Sequence, residues 1–386
     1  MSLAAEGTIC YSTTSSNWQR WVSISFLVYL LLVAVATIGS GFKSATAGQA
    51  VLLFDFASNP LIALIIGIVA TALIQSSSTV TSVIVGMVAG GMPLSIAIPM
   101  IMGANIGTSL TSTIVSLGHI RDGIEFKRAF SAATVHDSFN LLAVAIILPI
   151  ELLFRPLERL AGYFATFFRP GATADVAGFN PVGAMLEPAT DLIGSLSAVV
   201  PGIWGGLLMI ILGVAMILIV IKLLGSILKK VMVGRALDIM HRTIGRGPVS
   251  GIGAGGIITV LVQSSSTTTS LIVPMAGSGV FSLKQVYPFV LGANLGTTIT
   301  ALIAAIAITG PLAVLALQIA LVHLFFNLFA IILIYSIPLL RNIPVIMAEY
   351  LARLAQKNKL FVAAYIFGAF FITPLFLIGF LKLLGI

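Results

Sequence analysis

Charge is what this sequence has least of. Of its 386 residues only 8% are Asp, Glu, Lys or Arg and 59% are hydrophobic, whereas a soluble domain carries about 25% charged residues. Too little polar chain remains to coat a water-facing surface, so lipid must be the solvent. Cysteine is scarce too: Cys10 stands alone, which rules out an intrachain disulfide and leaves the redox compartment unmarked. Acids are outnumbered, 12 against 20 Lys and Arg, for a net charge of +8. The cations are scattered over short segments rather than massed, which fits orientation in a membrane and argues against a nucleic-acid partner. A cleavage site of small residues after Trp21–Ile38 is missing as well. That run is expected to be a retained first span, not a signal peptide, preceded by an N-terminal segment at 1–19.

What is abundant is apolar sequence. Mean hydropathy is +1.14. Trp21–Ile38, Ile203–Ile221, Leu312–Tyr335 and Leu360–Leu381 approach or exceed the roughly 20 residues a helix needs to cross the hydrocarbon. An all-α integral membrane protein is expected.

Three blocks occur twice, in the same order. Gln75-Ser-Ser-Ser-Thr79 returns as Gln263-Ser-Ser-Ser-Thr267, Gly103-Ala-Asn-Ile-Gly-Thr108 as Gly292-Ala-Asn-Leu-Gly-Thr297, and His136-Asp-Ser-Phe-Asn140 as His323-Leu-Phe-Phe-Asn327. The spacings are 188, 189 and 187 residues, so the chain reads as a duplication. The expected units are a first repeat at 20–169, a connector at 170–199 and a second repeat at 200–384.

Loop charge sets direction. Lys222–Arg246 holds Lys222, Lys229, Lys230, Arg235, Arg242 and Arg246, which places it in the cytoplasm. The connector carries Asp175, Glu187 and Asp191 without Lys or Arg and is expected outside, one span away. The loop His119–Arg128 includes Arg121, Lys127 and Arg128, while its counterpart around Ile308–Pro311 has no charge. Equivalent loops then lie on opposite sides, and the repeats are expected to be inverted. Arg155, Arg159 and Arg169 would fall outside, on an interfacial amphipathic stretch, partly offset by Glu151 and Glu158.

The polar run at Gln75 sits between apolar arms Pro60–Ile74 and Val80–Val88, and the second run between Gly251–Val262 and Leu271–Gly277. All four arms are too short to cross comfortably. Irregular backbone is tolerated in hydrocarbon only where protein or a water-filled cavity receives it. Two re-entrant helical hairpins are therefore expected, about 59–90 and about 248–279, with the polar runs at their tips. Paired interruptions of this kind point to a transporter's midplane site.

The tip chemistry suits an anion and a cation together. Hydroxyls of Ser76, Ser77, Ser78 and Thr79, and of Ser264, Ser265, Ser266 and Thr267, donate and accept, as do the amides of Gln75 and Gln263. A half-helix starting at each tip offers N–H groups to an anion, and one ending there offers carbonyl oxygens to sodium. Asn105 and Asn294, with Thr108, Thr111, Thr297 and Thr300, would add oxygens from locally unwound spans. The plainer alternative is that small polar residues simply let membrane helices pack closely; for a whole tract repeated beside Gln, ligand binding is the better account. These blocks contain no Lys or Arg, and an anion held by neutral donors alone is poorly balanced in a low dielectric. Bound sodium would supply the missing charge.

Asp137 is an ionisable residue expected near the start of a span. It is either a functional group, with Asn140 and Asn327 as further sodium ligands, or an ordinary helix-end charge near Lys127 and Arg128. His136 and His323 read as structural, hydrogen-bonded across helices with Asn140 or Asn327.

The paired Gln-Ser-Ser-Ser blocks, the Gly-Ala-Asn blocks and Ala133-Thr-Val-His-Asp-Ser-Phe-Asn140 resemble the type II sodium-dependent phosphate cotransporters, from about residue 50 onward. The resemblance implies sodium-driven uptake of inorganic phosphate by alternating access, with sodium as coupling ion, no cofactor and the bilayer as solvent. It implies phosphate near the serines of both tips and sodium shared among Gln263, Ser264, Thr297 and Thr300. Aspartate at the Asp137 position accompanies electrogenic transport in that family. The long cysteine-bearing loop of the animal members is missing, and the chain ends soon after Leu360–Leu381, from which a bacterial inner-membrane protein is expected. An intramembrane serine hydrolase would need a nucleophile beside a base but not two copies of the motif. A channel would also use hydroxyls and carbonyls, so the reading is a transporter and not an enzyme.

Overall fold

The computed structural model describes residues 17–46, 58–168, 181–197, 199–200, 203–308 and 312–383. Cys10, Arg169, Asp175 and the uncharged stretch 309–311 lie outside these residues, as do most of the segment 1–19 and the connector before Pro181. Every regular element described is a helix, as expected. Seven helices are long and apolar enough to cross a membrane: Trp18–Ala45, Leu94–His119, Gly123–Phe154, Ile203–Leu228, Leu283–Ile306, Ala313–Tyr335 and Leu360–Leu381.

Helix α1 (Asn17–Thr46) packs along α9 (Ile203–Thr243) through glycines that remove side-chain bulk. A Cβ on Gly206 would strike the backbone of Ala45, and one on Gly213 would meet Ile38. Between them come α2 (Pro60–Ile74), α3 (Ser77–Ala89), α4 (Leu94–Gly107), α5 (Leu110–Ser116), α6 (Gly123–Phe154), α7 (Pro156–Phe167) and α8 (Pro181–Ser197). After α9 follow α10 (Pro248–Val262), α11 (Ser265–Gly277), α12 (Leu283–Ile306), α13 (Ala313–Ala330, prolonged by a π-helical turn Ile331–Tyr335), α14 (Pro338–Lys357), α15 (Leu360–Phe367) and α16 (Thr373–Leu383). The chain from Leu360 packs on the first half, Val362 against Phe126 and Phe130 and Phe370 against Ile68 and Leu110.

The same packing occurs twice. Helix α2 lies on α4 and α10 lies on α12, in both cases backbone against backbone. The space a Cβ would need at Gly67 and Gly103 is filled by the Met100 and Leu64 carbonyls, and at Gly255 and Gly292 by those of Phe289 and Ile252. The glycines of the Gly-Ala-Asn blocks thus serve close packing. The halves also interlock: α3 packs on α12 and α13, whereas α11 packs on α5 and α6. Likewise α7 covers α13 and α14 covers α6.

Unwinding is unequal. The first span breaks at Thr108–Ser109, between α4 and α5, but α12 runs unbroken through Gly292–Thr300. Gly107 and Gly296 make equivalent close contacts, with Ile68 and Thr71 in one half and with Gly256 and Thr259 in the other, so this packing does not account for the difference. The expectation of two unwound spans holds for one.

Helix α6 starts at Asp122, whose carboxylate accepts from the N–H groups of Glu125 and Ile124. Those bonds hold its carboxyl below the usual range. Helix α7 is amphipathic, burying Leu157, Ala161 and Ala165, and Glu151 satisfies its first amides by accepting from Leu157 and Glu158. The connector proves to contain a helix, α8, whose Leu186 is buried with Val33 and Ala307.

One face of the bundle gathers the cations. A cavity of about 740 Å³ is lined by Lys127, Arg128 and Arg353 with Gln285 near the start of α12. Gly245 lies against the same Gln285 side chain, so the loop His119–Arg128 and the end of the segment Lys222–Arg246 share this face. The other end of α12, roughly 36 Å away at 1.5 Å per residue, meets α8 through Ala307.

Candidate functional site

Each polar tract folds as a two-residue reversal followed at once by helix. Helix α2 ends at Gln75 in the left-handed region (φ 55°), and Ser76 turns extended to cap α3, accepting from the Thr79 N–H. Helix α10 ends at Gln263 (φ 54°), and Ser264 caps α11 by accepting from the Thr267 N–H. Only these two residues are irregular at each tip; the following serines already lie in the first turn of a helix. A left-handed conformation costs a non-glycine residue about 1–2 kcal/mol. Strain of this kind, repeated at equivalent positions, marks a functional turn.

The tips meet. The Ser266 hydroxyl donates to the Gln75 carbonyl at 3.3 Å. Next to the tips lies a cavity of about 810 Å³, lined by Ser76 and Thr79 of one tip, Ser264 and Thr267 of the other, and Lys222 and Ser226 of α9. The N-terminal turns of α3 and α11 therefore border one space. Ser77 is 2% exposed, and its hydroxyl oxygen has no hydrogen-bond partner. Ser78 and Ser265 are also buried, in the first turns of α3 and α11.

The glutamines differ. Gln263 donates from Nε2 to the Val260 carbonyl at 2.7 Å and accepts at Oε1 from the Thr300 hydroxyl at 3.0 Å. Gln75 is exposed, and Thr111, the counterpart of Thr300, is half-buried, its hydroxyl oxygen out of solvent and unpartnered. The Thr108 and Thr297 hydroxyls donate back to the carbonyls of Ala104 and Ala293 within their own helices.

The four asparagines do not reach the tips' cavity lining; they form a buried crossing of the two halves. Asn294 accepts from His136 Nε2 at 2.5 Å and donates to Asn140 at 2.7 Å. Asn105 hydrogen-bonds His323 Nε2 at 3.3 Å and donates to Asn327 at 3.2 Å. A His and an Asn four residues apart on one helix face thus clamp the asparagine of the other half, twice. The histidines hydrogen-bond across helices, but their partners are Asn294 and Asn105 rather than Asn140 and Asn327. Both His Nδ1 atoms are buried without partners.

Asp137 sits at the middle of α6, 5% exposed, not at a helix end beside Lys127 and Arg128. Its Oδ2 accepts from the Tyr365 hydroxyl at 2.8 Å and from Thr113 at 3.5 Å, while Oδ1 is buried and unpartnered. Among the described residues only Asp137 and Glu151 are buried acids, and no three His, Cys, Asp or Glu cluster as metal ligands. The available donors are hydroxyls, amides, carbonyls and one carboxylate, a set that suits a hard monovalent cation.

Two neighbours of the candidate site, Tyr365 beside Asp137 and Lys222 at the cavity, are not legible in the sequence. Tyr365 is a single hydroxyl in an apolar run. Lys222 falls just after the run Ile203–Ile221, but no helix breaker separates the two, which was the available signal.

Two left-handed Gln-Ser turns meet at helix N-termini, and sequence similarity places the chain in a family. The Na+/Pi-cotransporter family profile matches residues 30–167 and 216–338. The chain belongs to the Na+/Pi-cotransporter family. One matched segment falls in each half of the chain, and the second ends at residue 338, where α14 begins, so it leaves out Tyr365. Human sodium-dependent phosphate transport protein 2B is 31% identical over 456 residues, covering 93% of this chain and 65% of that protein. Rat sodium-dependent phosphate transport protein 2A is 33% identical over 428 residues, covering 91% and 66%. The chain thus spans about 65% of the length of these family relatives. No solved structure matches the chain.

Proposed function

We propose that this chain is a sodium-coupled symporter that imports inorganic phosphate by alternating access, with net movement of charge. The observation that carries the reading is the meeting of two capped helix N-termini across one cavity, the Ser266–Gln75 bond being its seam. N–H groups and hydroxyls there suit an oxyanion. The phosphate ligands are Ser76, Thr79, Ser264 and Thr267 at the cavity, with Ser77, Ser78, Ser265 and Ser266 behind them. The names of the relatives, sodium-dependent phosphate transport proteins, support the choice of ions.

Sodium is assigned to Gln263, Thr300 and Ser264 at one tip, to the unpartnered Thr111 hydroxyl, and to the open oxygen of Asp137. Asn105, Asn294, Asn140 and Asn327 hold the halves together. Their role is to carry motion between repeats rather than to touch phosphate.

The repeats, 20–169 and 200–384, are read as inverted. The loop before α6 shares the cationic face, whereas the corresponding end of α12 meets α8. The cationic face is cytoplasmic by the positive-inside rule, which puts α8 outside. The membrane is the cell membrane, and the short connector between the halves supports a bacterial inner-membrane protein.

Radiolabelled phosphate uptake into proteoliposomes, with and without an inward sodium gradient, tests the reading. Saturable uptake that vanishes without sodium is expected. Uptake unaffected by sodium removal would overturn symport, a non-saturating flux would indicate a channel, and uptake of another oxyanion alone would reassign the substrate.

A further inference from the structure

By sequence, Lys222 opens a basic loop. In the fold it belongs to the continuous helix α9, Ile203–Thr243, and lies within the apolar stretch Ile203–Leu228. It stops about 9 Å short of that stretch's end at 1.5 Å per residue. An ionisable side chain inside a span calls for a functional explanation.

Lys222 lines the cavity of about 810 Å³ that Ser76, Thr79, Ser264 and Thr267 also line. No carboxylate of the described residues lies within ion-pair distance of it. The other cations behave differently. Lys127, Arg128 and Arg353 border a separate cavity at the cationic face, where the positive-inside rule accounts for them. The repeat spacing of 187 to 189 residues carries Lys222 onto the apolar Val33–Val35 of α1, so duplication did not produce it twice. One lysine, one cavity and two neutral tips describe a single anion site with one fixed positive charge.

We propose that Lys222 is a substrate-binding residue whose ammonium pairs directly with the oxygens of the phosphate held between the tips. The proposal rests on the reading that the tips hold phosphate. It also revises the charge balance drawn from the tracts alone: the tips carry no cation, but α9 delivers one to them. Inorganic phosphate approaches two negative charges at neutral pH. One ammonium leaves part of that charge uncompensated, so sodium is still required, to complete the balance rather than to supply all of it. Lysine suits this task because its point charge on a flexible stem can follow the anion as the site changes its access.

Proteoliposome uptake at saturating sodium compares Lys222→Gln, Lys222→Arg and Thr267→Val with the unsubstituted protein. Lys222→Gln is expected to raise the apparent phosphate KM about tenfold or more, the loss of a charge-assisted bond, while Lys222→Arg keeps it within a few-fold. An unchanged phosphate KM in Lys222→Gln overturns the proposal. If Lys222→Gln gives no uptake, labelled phosphate binding to the purified protein in sodium decides. Binding lost in the Gln variant and kept in the Arg variant supports the proposal; binding kept in Gln, or lost in both, overturns it. The tip reading fails separately: Thr267→Val without effect beside an impaired Lys222→Gln removes phosphate from the tips, not from Lys222. The reverse pattern removes only Lys222.

Discussion

The Tyr365 hydroxyl donates to Asp137 Oδ2 at 2.8 Å, tying the last span to the middle of α6. Asp137 thereby has one oxygen fixed by neutral donors and the other, Oδ1, buried and open. The Tyr365 and Thr113 hydroxyls fix the orientation of the Asp137 carboxyl, and under the proposed function its open oxygen is a sodium ligand.

Tyr365→Phe removes the firmer of the two bonds to Asp137. A hydrogen bond to a carboxylate contributes about 1.5–3 kcal/mol, so the apparent sodium KM should shift about tenfold or more while the phosphate KM at saturating sodium holds. Sodium-dependence curves in proteoliposomes measure this. An unmoved sodium KM would take Tyr365 out of the coupling path.

Asp137→Gly should abolish the transport current and leave part of the phosphate uptake. Current and radiolabel, recorded on the same membranes, separate the two. Current that survives at its original ratio to uptake would remove Asp137 from the mechanism.

Thr111 offers a sharper discrimination. A buried hydroxyl without a partner destabilises the fold, so Thr111→Val should raise the thermal transition slightly, by about 1 kcal/mol or less in stability. If the hydroxyl serves sodium, the same variant should raise the sodium KM. Greater stability with unchanged sodium dependence would mark Thr111 as a simple packing residue.

The clamp of His136 and Asn140 on Asn294 is a stability element. Asn294→Leu leaves His136 and Asn140 with broken bonds and should lower stability by about 1–2 kcal/mol, the upper range for polar contacts between membrane helices. Thermal unfolding in detergent reads it out. Asn105→Leu should behave alike, because the opposite clamp has the same construction.

Gly255→Ala puts a Cβ where the Phe289 carbonyl stands. Helices α10 and α12 must separate, and a loss of about 1–3 kcal/mol is expected. Gly253, which has open space in place of that carbonyl, should accept alanine with little change. Similar losses at both positions would contradict the close-packing account.

The sequence by itself determined the solvent, the duplication and the place of the reversals. Scarce charge demands lipid, and short apolar arms around Gln75 and Gln263 demand helices that meet at polar turns; both are local requirements readable along the chain. Only the tertiary structure decided who meets whom. His136 finds Asn294 rather than Asn140 because the halves interlock, so its partner lies on α12 and not on its own helix. The unwinding expected twice occurs once, although Gly107 and Gly296 pack alike against α2 and α10. Lys222 reads as a loop residue by its charge and becomes a cavity residue because α9 continues past it beside the tips. Tyr365 reaches Asp137 only through the docking of a span that has no copy in the first half. Periodicity and composition report which face of a segment is apolar. They carry no information on which distant polar atom completes a buried one, and here that pairing makes the site.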